Sequence, residues 1–147
     1  MLAVIDNWFG WSSLGMPTRV RWLGAPCGLA GLALLYWSHR TLDINYDGTL
    51  HLREAHELVT APPYAWIRHP MYAALHGIAL AVTLMSDSLV LGVVWVGGLS
   101  LVLIRRVPRE ETLMTERFGP AYRAYQARTG LLVPRLCGHG SGQIPNA

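Results

Sequence analysis

The sequence predicts an all-α fold: an integral membrane helical bundle of about three transmembrane helices, followed by C-terminal cytosolic helices. Three observations carry that expectation. Apolar residues make up 52% of the 147 and charged residues only 14%, against about 25% charged in soluble domains. Long uncharged apolar stretches occupy residues 22–38 and 71–104, the second broken only at Ser86-Asp87-Ser88. No segment alternates apolar and polar residues with the two-residue period of a half-buried strand. The length suits one domain, taken as residues 1–137, with a disordered tail over 138–147.

The first span is "WLGAPCGLAGLALLYWS", residues 22–38. As a helix it covers roughly 25 Å, close to the ~30 Å hydrocarbon core. Trp22 and Trp37 stand near its ends, as interfacial aromatics do. Gly24, Gly28 and Gly31 share a face that lets another helix approach closely, and Pro26 falls in the first turns, where a missing N–H costs little. The stretch 71–104 is too long for one crossing, at roughly 51 Å. It reads as a helical hairpin with arms over 71–85 and 89–104 and Asp87 at the tip. Beyond it, "VPREETLMTERF" has Pro108 and two glutamates suited to a first helical turn. Gly119 ends that helix, Pro120 opens the next, and Gly130 closes it, so cytosolic helices are expected over about 108–129.

Three crossings place residues 39–70 and everything after 104 on one side. That side holds ten arginines and the other holds Arg19 and Arg21 alone, so the positive-inside rule makes the Arg-rich side cytoplasmic. Every one of the 12 basic residues is arginine, the side chain that grips carboxylate and phosphate bidentately. The N-terminus carries Asp6 where the apolar core of a signal peptide belongs, and membrane insertion is expected to use the internal segments. Residues 1–15 read either as an interfacial helix or as the end of a loop. Cys27 and Cys137 form no CxxC pattern, and neither a disulfide nor a metal site is inferred from them.

The chemistry concentrates in "PPYAWIRHPMYAALHG", residues 62–77. Arg68, His69 and Pro70 stand on the threshold of an apolar helix, between Tyr64 and Tyr72, with His76 inside it. Helix N-termini offer free N–H groups and partial positive charge, and an adjacent arginine turns such an end into a site for a carboxylate, a phosphate or a lipid headgroup. Glu110 and Glu111 have a sufficient local reason in the helix dipole. Beside a membrane pocket they also suit a cationic or hydroxyl-rich ligand. His69 and His76 share a helical face, and His51 and His56 lie on the preceding loop. The HxxxH and HxxHH clusters of membrane di-iron sites are missing, so no metal is expected. His76 reads as a hydrogen-bonded packing residue. No GxGxxG follows a strand and no Walker loop is present, which excludes a soluble Rossmann enzyme.

"LVTAPPYAWIRHPMYAA" followed by "RRVPREETLMTERFGPAYRAYQARTGLLVP" resembles the isoprenylcysteine carboxyl methyltransferase and phospholipid methyltransferase superfamily of integral membrane enzymes. The family pattern, approximately LVTxGPYxxxRHPxYxG and then EExxLxxxFGxxYxxYxxR, covers this chain from about Arg19 to Pro134. The resemblance implies a methyltransferase that uses S-adenosylmethionine at the cytosolic edge of the bundle and a lipophilic acceptor, such as an isoprenylcysteine-type carboxylate or a phospholipid amine. It implies that Tyr64, Arg68, His69, Tyr72, Glu110 and Glu111 bind the cofactor, with Arg68 on its carboxylate. No residue is assigned as a nucleophile, since methyl transfer is promoted by alignment and desolvation. Partners are then the bilayer and a lipid or lipophilic small molecule, with no nucleic acid, and the location a bacterial inner membrane. Pro62 replaces the family glycine before Pro-Tyr, Ala74 stands where relatives often have glycine, and relatives commonly carry two further upstream spans. Two other readings are a membrane sterol or steroid reductase using NADPH, which shares an RHPxY-like motif but not the second block, and a non-catalytic truncated relative.

Overall fold

The computed structural model describes residues 12–45 and 58–135. The tail from Gly138, the first eleven residues, His51 and His56 lie outside them. Among the described residues the chain is all helical, with two isolated β-bridges and no strand. The helices are α1 (Thr18–Trp22), α2 (Gly24–Asn45), α3 (Pro70–Ser86), α4 (Leu89–Phe118) and α5 (Pro120–Arg128).

The glycine face of α2 is the main packing surface. A Cβ on Gly24 would lie 2.6 Å from Met85 Cγ, one on Gly28 would lie 3.1 Å from Ala81 Cβ, and one on Gly31 would lie 2.9 Å from Ile78 Cγ1 and 3.0 Å from the Ala74 carbonyl oxygen. The antiparallel partner α3 answers with Ala74 and Ala81, both buried. Small residues on both sides bring the backbones close enough for dispersion to hold helices together without a water-driven core. Cys27 joins this seam, its thiol 3.4 Å from the Gly77 carbonyl oxygen.

α2 begins at Gly24 and continues to Asn45, seven residues past the predicted end at 38. The intrahelical ladder does not stop where apolarity stops. Thr41 donates to the Pro62 carbonyl at 3.0 Å and Trp37 meets Trp66 edge to face at 5.8 Å, so tertiary contacts hold the polar end helical.

The hairpin turns where expected. Asp87 adopts a left-handed conformation (φ 53°, ψ 30°), and Ser88 caps α4 by accepting from Leu91 N–H. Residues 12–16 wrap this tip. Ser13 Oγ donates to Asp87 at 2.7 Å and Met16 N–H at 3.0 Å, which holds the Asp87 carboxyl below the usual carboxylate range.

The second arm and the helix expected to follow it are one continuous helix, not two. Leu89–Phe118 has 30 residues, about 45 Å, with a π-helical turn over Val93–Gly97. Pro108 lies inside it rather than opening a new helix. Interior proline ordinarily costs about 3 kcal/mol. Here the turns on either side are fastened: Arg106 Nε reaches Glu110 at 2.6 Å across the proline, and the two glutamates are held by Tyr72 of α3 and by Arg68 just before it.

Among the described residues, Leu89–Phe118 is the one helix both long and apolar enough to cross a bilayer. Its apolar side chains face outward, with Val93 64% and Ile104 66% exposed. α3 is apolar but shorter, and α2 falls short in hydropathy because its packing face is glycine and its last turns carry His39 and Arg40. By length and composition one helix among the described residues is thus able to cross a membrane, and the other two expected crossings are shorter or less apolar.

Gly119 (φ 52°, ψ −124°) separates α4 from α5 in a conformation that disfavours any side chain. α5 buries Tyr122, Tyr125 and Thr129 on one stripe. Thr129, not Gly130, ends this helix. Gly130 instead pairs with the chain before α3, its N–H donating to the Trp66 carbonyl at 3.1 Å and its own carbonyl accepting from Arg68 N–H at 2.8 Å. A Cβ there would collide with the Val133 carbonyl oxygen.

Gly31→Ala should lower stability by about 1–3 kcal/mol, the usual effect of overpacking. Gly98→Ala, with nothing within 4 Å of its added methyl, should be neutral or stabilising. Melting both variants in one detergent checks the pair; equal shifts would mean that the α2–α3 seam is not as close as described.

Candidate functional site

The residues that the sequence singles out converge at the N-terminus of α3. Arg68 donates from Nε to Glu111 Oε1 at 2.7 Å and from Nη1 to the carbonyls of Gln126 (3.0 Å) and Thr129 (2.7 Å). One guanidinium thus pairs a carboxylate of α4 and caps the negative end of α5. Its side chain is only 10% exposed. The resemblance puts Arg68 on the cofactor's carboxylate; in the fold, the carboxylate it meets is that of the chain's own Glu111.

Glu111 is shared further, because Gln126 Nε2 donates to its Oε2 at 3.2 Å. Glu110 accepts on Oε1 from the Tyr72 hydroxyl at 3.2 Å and from Arg106 Nε at 2.6 Å. The two carboxylates stay partly open, at 31% and 21% exposure for Glu110 and Glu111.

His69 stands between them. Its Nδ1 is 3.7 Å from Glu110 Oε2 and its Nε2 is 3.6 Å from Glu111 Oε1, both too long for a hydrogen bond. Nε2 is buried without a hydrogen-bond partner. Burial pulls the imidazole pKa below 6.5, outweighing the attraction of Glu111 and Glu110, with Arg68 adding to the depression. That favours the neutral imidazole, in which one ring nitrogen is a donor and the other an acceptor. A buried polar atom left unpaired costs free energy and calls for an explanation.

Tyr64 belongs to the wall rather than the mouth. Its backbone carbonyl accepts from the Tyr125 hydroxyl at 2.7 Å, and burial raises both phenols to about 12. His76 sits deeper along α3, with Nδ1 2.8 Å from the Tyr72 carbonyl oxygen and Nε2 3.2 Å from Ser100 Oγ. This is the hydrogen-bonded packing role expected of it, a polar rung between α3 and α4.

Sequence reasoning passed over Gln126, Thr129 and the pairing of residues 66–69 with 130–131. Tyr122, Tyr125 and Thr129 recur at intervals of three and four, a buried stripe that marks α5 as docked rather than free. Beside the carboxylates, α4 and α5 leave an open cleft of about 350 Å³ lined by Pro108, Glu111, Thr112, Thr115, Glu116 and Gln126. No cluster of three or more metal-ligating side chains occurs among the described residues.

The described residues thus form a helical chain with an outward-facing apolar helix long enough to cross a membrane and a pair of carboxylates near its polar end. The sequence model of the phospholipid methyltransferase family matches residues 20–121. The chain belongs to that family, a family of methyltransferases. No curated protein matches it.

Arg68→Leu leaves Glu111 and two helix-end carbonyls without their donor, and should cost about 3–5 kcal/mol of stability. His76→Ala, which removes one rung, should cost about 1–3 kcal/mol. This order reverses what the sequence implies, namely that Arg68 serves a ligand and His76 the fold. Thermal melting of the two variants decides it, and a melting point for Arg68→Leu above that of His76→Ala would contradict the clamp.

Proposed function

We propose that the chain is an S-adenosylmethionine-dependent methyltransferase acting on a lipophilic acceptor, of the isoprenylcysteine-carboxylate or phospholipid-amine class. The observation that carries this is the convergence of Glu110, Glu111, Tyr72 and His69 at one helix end, with a buried imidazole nitrogen lacking a partner. The cofactor's chemistry fits these donors. Its ammonium and ribose hydroxyls suit carboxylates that keep free lone pairs, and its purine nitrogens or carboxylate suit an imidazole nitrogen of either tautomer. Glu110, Glu111, His69 and Tyr72 are the residues to hold it, while Arg68 and Tyr64 shape the wall behind them.

When bound, the cofactor supplies an electrophilic methyl group on a sulfonium. The chain's own task is orientation: Arg68 and Gln126 fix Glu111, and Arg106 and Tyr72 fix Glu110, so that the carboxylates are set before the ligand arrives. No side chain needs to act as a nucleophile. Glu110→Gln and Glu111→Gln keep size and acceptor capacity but lose charge, and each should weaken S-adenosylmethionine binding roughly tenfold or more in calorimetry, using about 1.4 kcal/mol per decade. NADPH should not bind. Unchanged affinity in both variants would reduce the glutamates to helix-dipole residues, and NADPH binding would favour a reductase.

The same reading puts three spans in a bacterial inner membrane, with this lip in the cytoplasm and Asp87 outside, on the strength of the arginine asymmetry. Single cysteines at Ser86 and Arg109, both exposed, in a background lacking Cys27 and Cys137 should label from opposite sides. Labelling of both by an impermeant reagent in intact cells would overturn the topology.

A further inference from the structure

We propose that Gln126 is a positioning residue for the cofactor site, and that it works by holding the second oxygen of the Glu111 carboxylate. The argument starts from a closed ring of hydrogen bonds. Arg68 Nε donates to Glu111 Oε1 at 2.7 Å, Gln126 Nε2 donates to Glu111 Oε2 at 3.2 Å, and Arg68 Nη1 donates to the backbone carbonyl of Gln126 at 3.0 Å. Each side of the triangle joins a different pair of elements: the threshold of α3, the middle of α4 and the last turn of α5.

A carboxylate held by one oxygen still turns about its terminal torsion, which is broad and roughly two-fold. One held by both oxygens, from donors on separate elements, does not. Two of its roughly four lone-pair sites are then filled by the chain, and those remaining are presented in a fixed plane. Glu111 and Gln126 both line the cleft between α4 and α5, so the plane is set at the edge of open space. Gln126 falls at an unspecified position of the pattern YxxYxxR, between Tyr125 and Arg128, so the resemblance assigns it nothing. Its backbone carbonyl is clamped by Arg68 whatever its side chain is, so a substitution removes the amide donor and leaves the clamp in place. The ionisable and charged groups that face Glu111 are Arg68 and His69 from the threshold, Glu110 beside it and Tyr122 from α5.

The role rests on the proposed binding of S-adenosylmethionine, so the test has two arms. The first uses no cofactor: a double-mutant cycle of Gln126→Leu and Glu111→Met, the second of which removes both acceptor oxygens at similar length, is followed by thermal melting of the full chain in detergent. Coupling on the order of 3 °C is expected for one net hydrogen bond, and strict additivity would show that the two side chains do not interact, which overturns the proposal. The second measures S-adenosylmethionine affinity. Gln126→Leu should bind roughly five- to tenfold more weakly than wild type. Gln126→Glu should depend on pH relative to wild type, weak at pH 8, where two carboxylates repel, and recovering at pH 6, where a shared proton lets residue 126 donate again. A merely structural glutamine would not generate that recovery. Coupling in the first arm with wild-type affinity for Gln126→Leu and no pH-dependent difference for Gln126→Glu would overturn the positioning role alone. Failure of wild type to bind S-adenosylmethionine would overturn the cofactor reading and this role with it, while the first arm still decides whether the ring exists.

Discussion

The Arg68 guanidinium is the constraint on which the site depends. It lies where the chain entering α3 meets α4 and α5, and it makes three kinds of contact: its backbone N–H donates to Gly130, its Nε to Glu111, and its Nη1 to the carbonyls at the end of α5. A lysine could not reproduce this, because the planar fork sends donors in fixed and diverging directions. A buried ion pair alone is weak evidence of stability, since desolvation cancels much of the attraction. In this one the charge is also met by two helix-end carbonyls, and that combination makes removal of either partner costly. The arrangement places carboxylates at the lip without leaving Glu111 an unpaired charge in a half-buried place.

The hairpin shows why such polar centres sit at the ends of apolar helices. Lipid is as apolar as leucine, so burial in a membrane does little to select one helix register over another. Register here comes from features that cannot slide. The Asp87 tip is fastened to Ser13 and Met16, the base of α3 is fastened to α4 by Tyr72 and to both α4 and α5 by Arg68, and His76 with Ser100 supplies a rung between. Glycines against alanines set the α2–α3 seam by shape. Few large apolar side chains are fully buried; many face outward, where a soluble protein would have its polar surface.

Much of this was legible in the sequence. The helical hairpin, its tip at Asp87, the glycine face of α2 and the stop at Gly119 follow from local chemistry: apolar runs, a polar interruption, small residues four apart, a glycine before a proline. What misled was also local. Pro108 has the credentials of a helix start, and only the long-range anchoring of Glu110 and Glu111 shows why the helix runs through it. Apolarity ended the first helix at 38 on paper, while Thr41 and Trp37 meet the loop before α3 and carry it to Asn45. Gly130 looks like a helix stop, whereas a backbone pairing sixty residues away takes it. The candidate site residues were legible as a set, since their spacing in two motifs marks them. Their division of labour was not, because it depends on which carboxylate Arg68 meets first.

That division has a chemical logic. A site for a cofactor that carries both charges must offer an anion without creating a competing internal ion pair so tight that no ligand can share it. Glu111 has one neighbour on each oxygen, and Glu110 has two donors on one oxygen and only a distant imidazole near the other. Neither carboxylate is saturated. His69, with no hydrogen-bond partner at Nε2, is the group whose hydrogen bonding is left incomplete by the chain. A buried nitrogen in that state is rare in folded proteins, and here it sits 3.6 Å from the Glu111 carboxylate. The internal bonds set the planes of the two carboxylates, and the lone pairs they leave open are what the proposed ligand would meet.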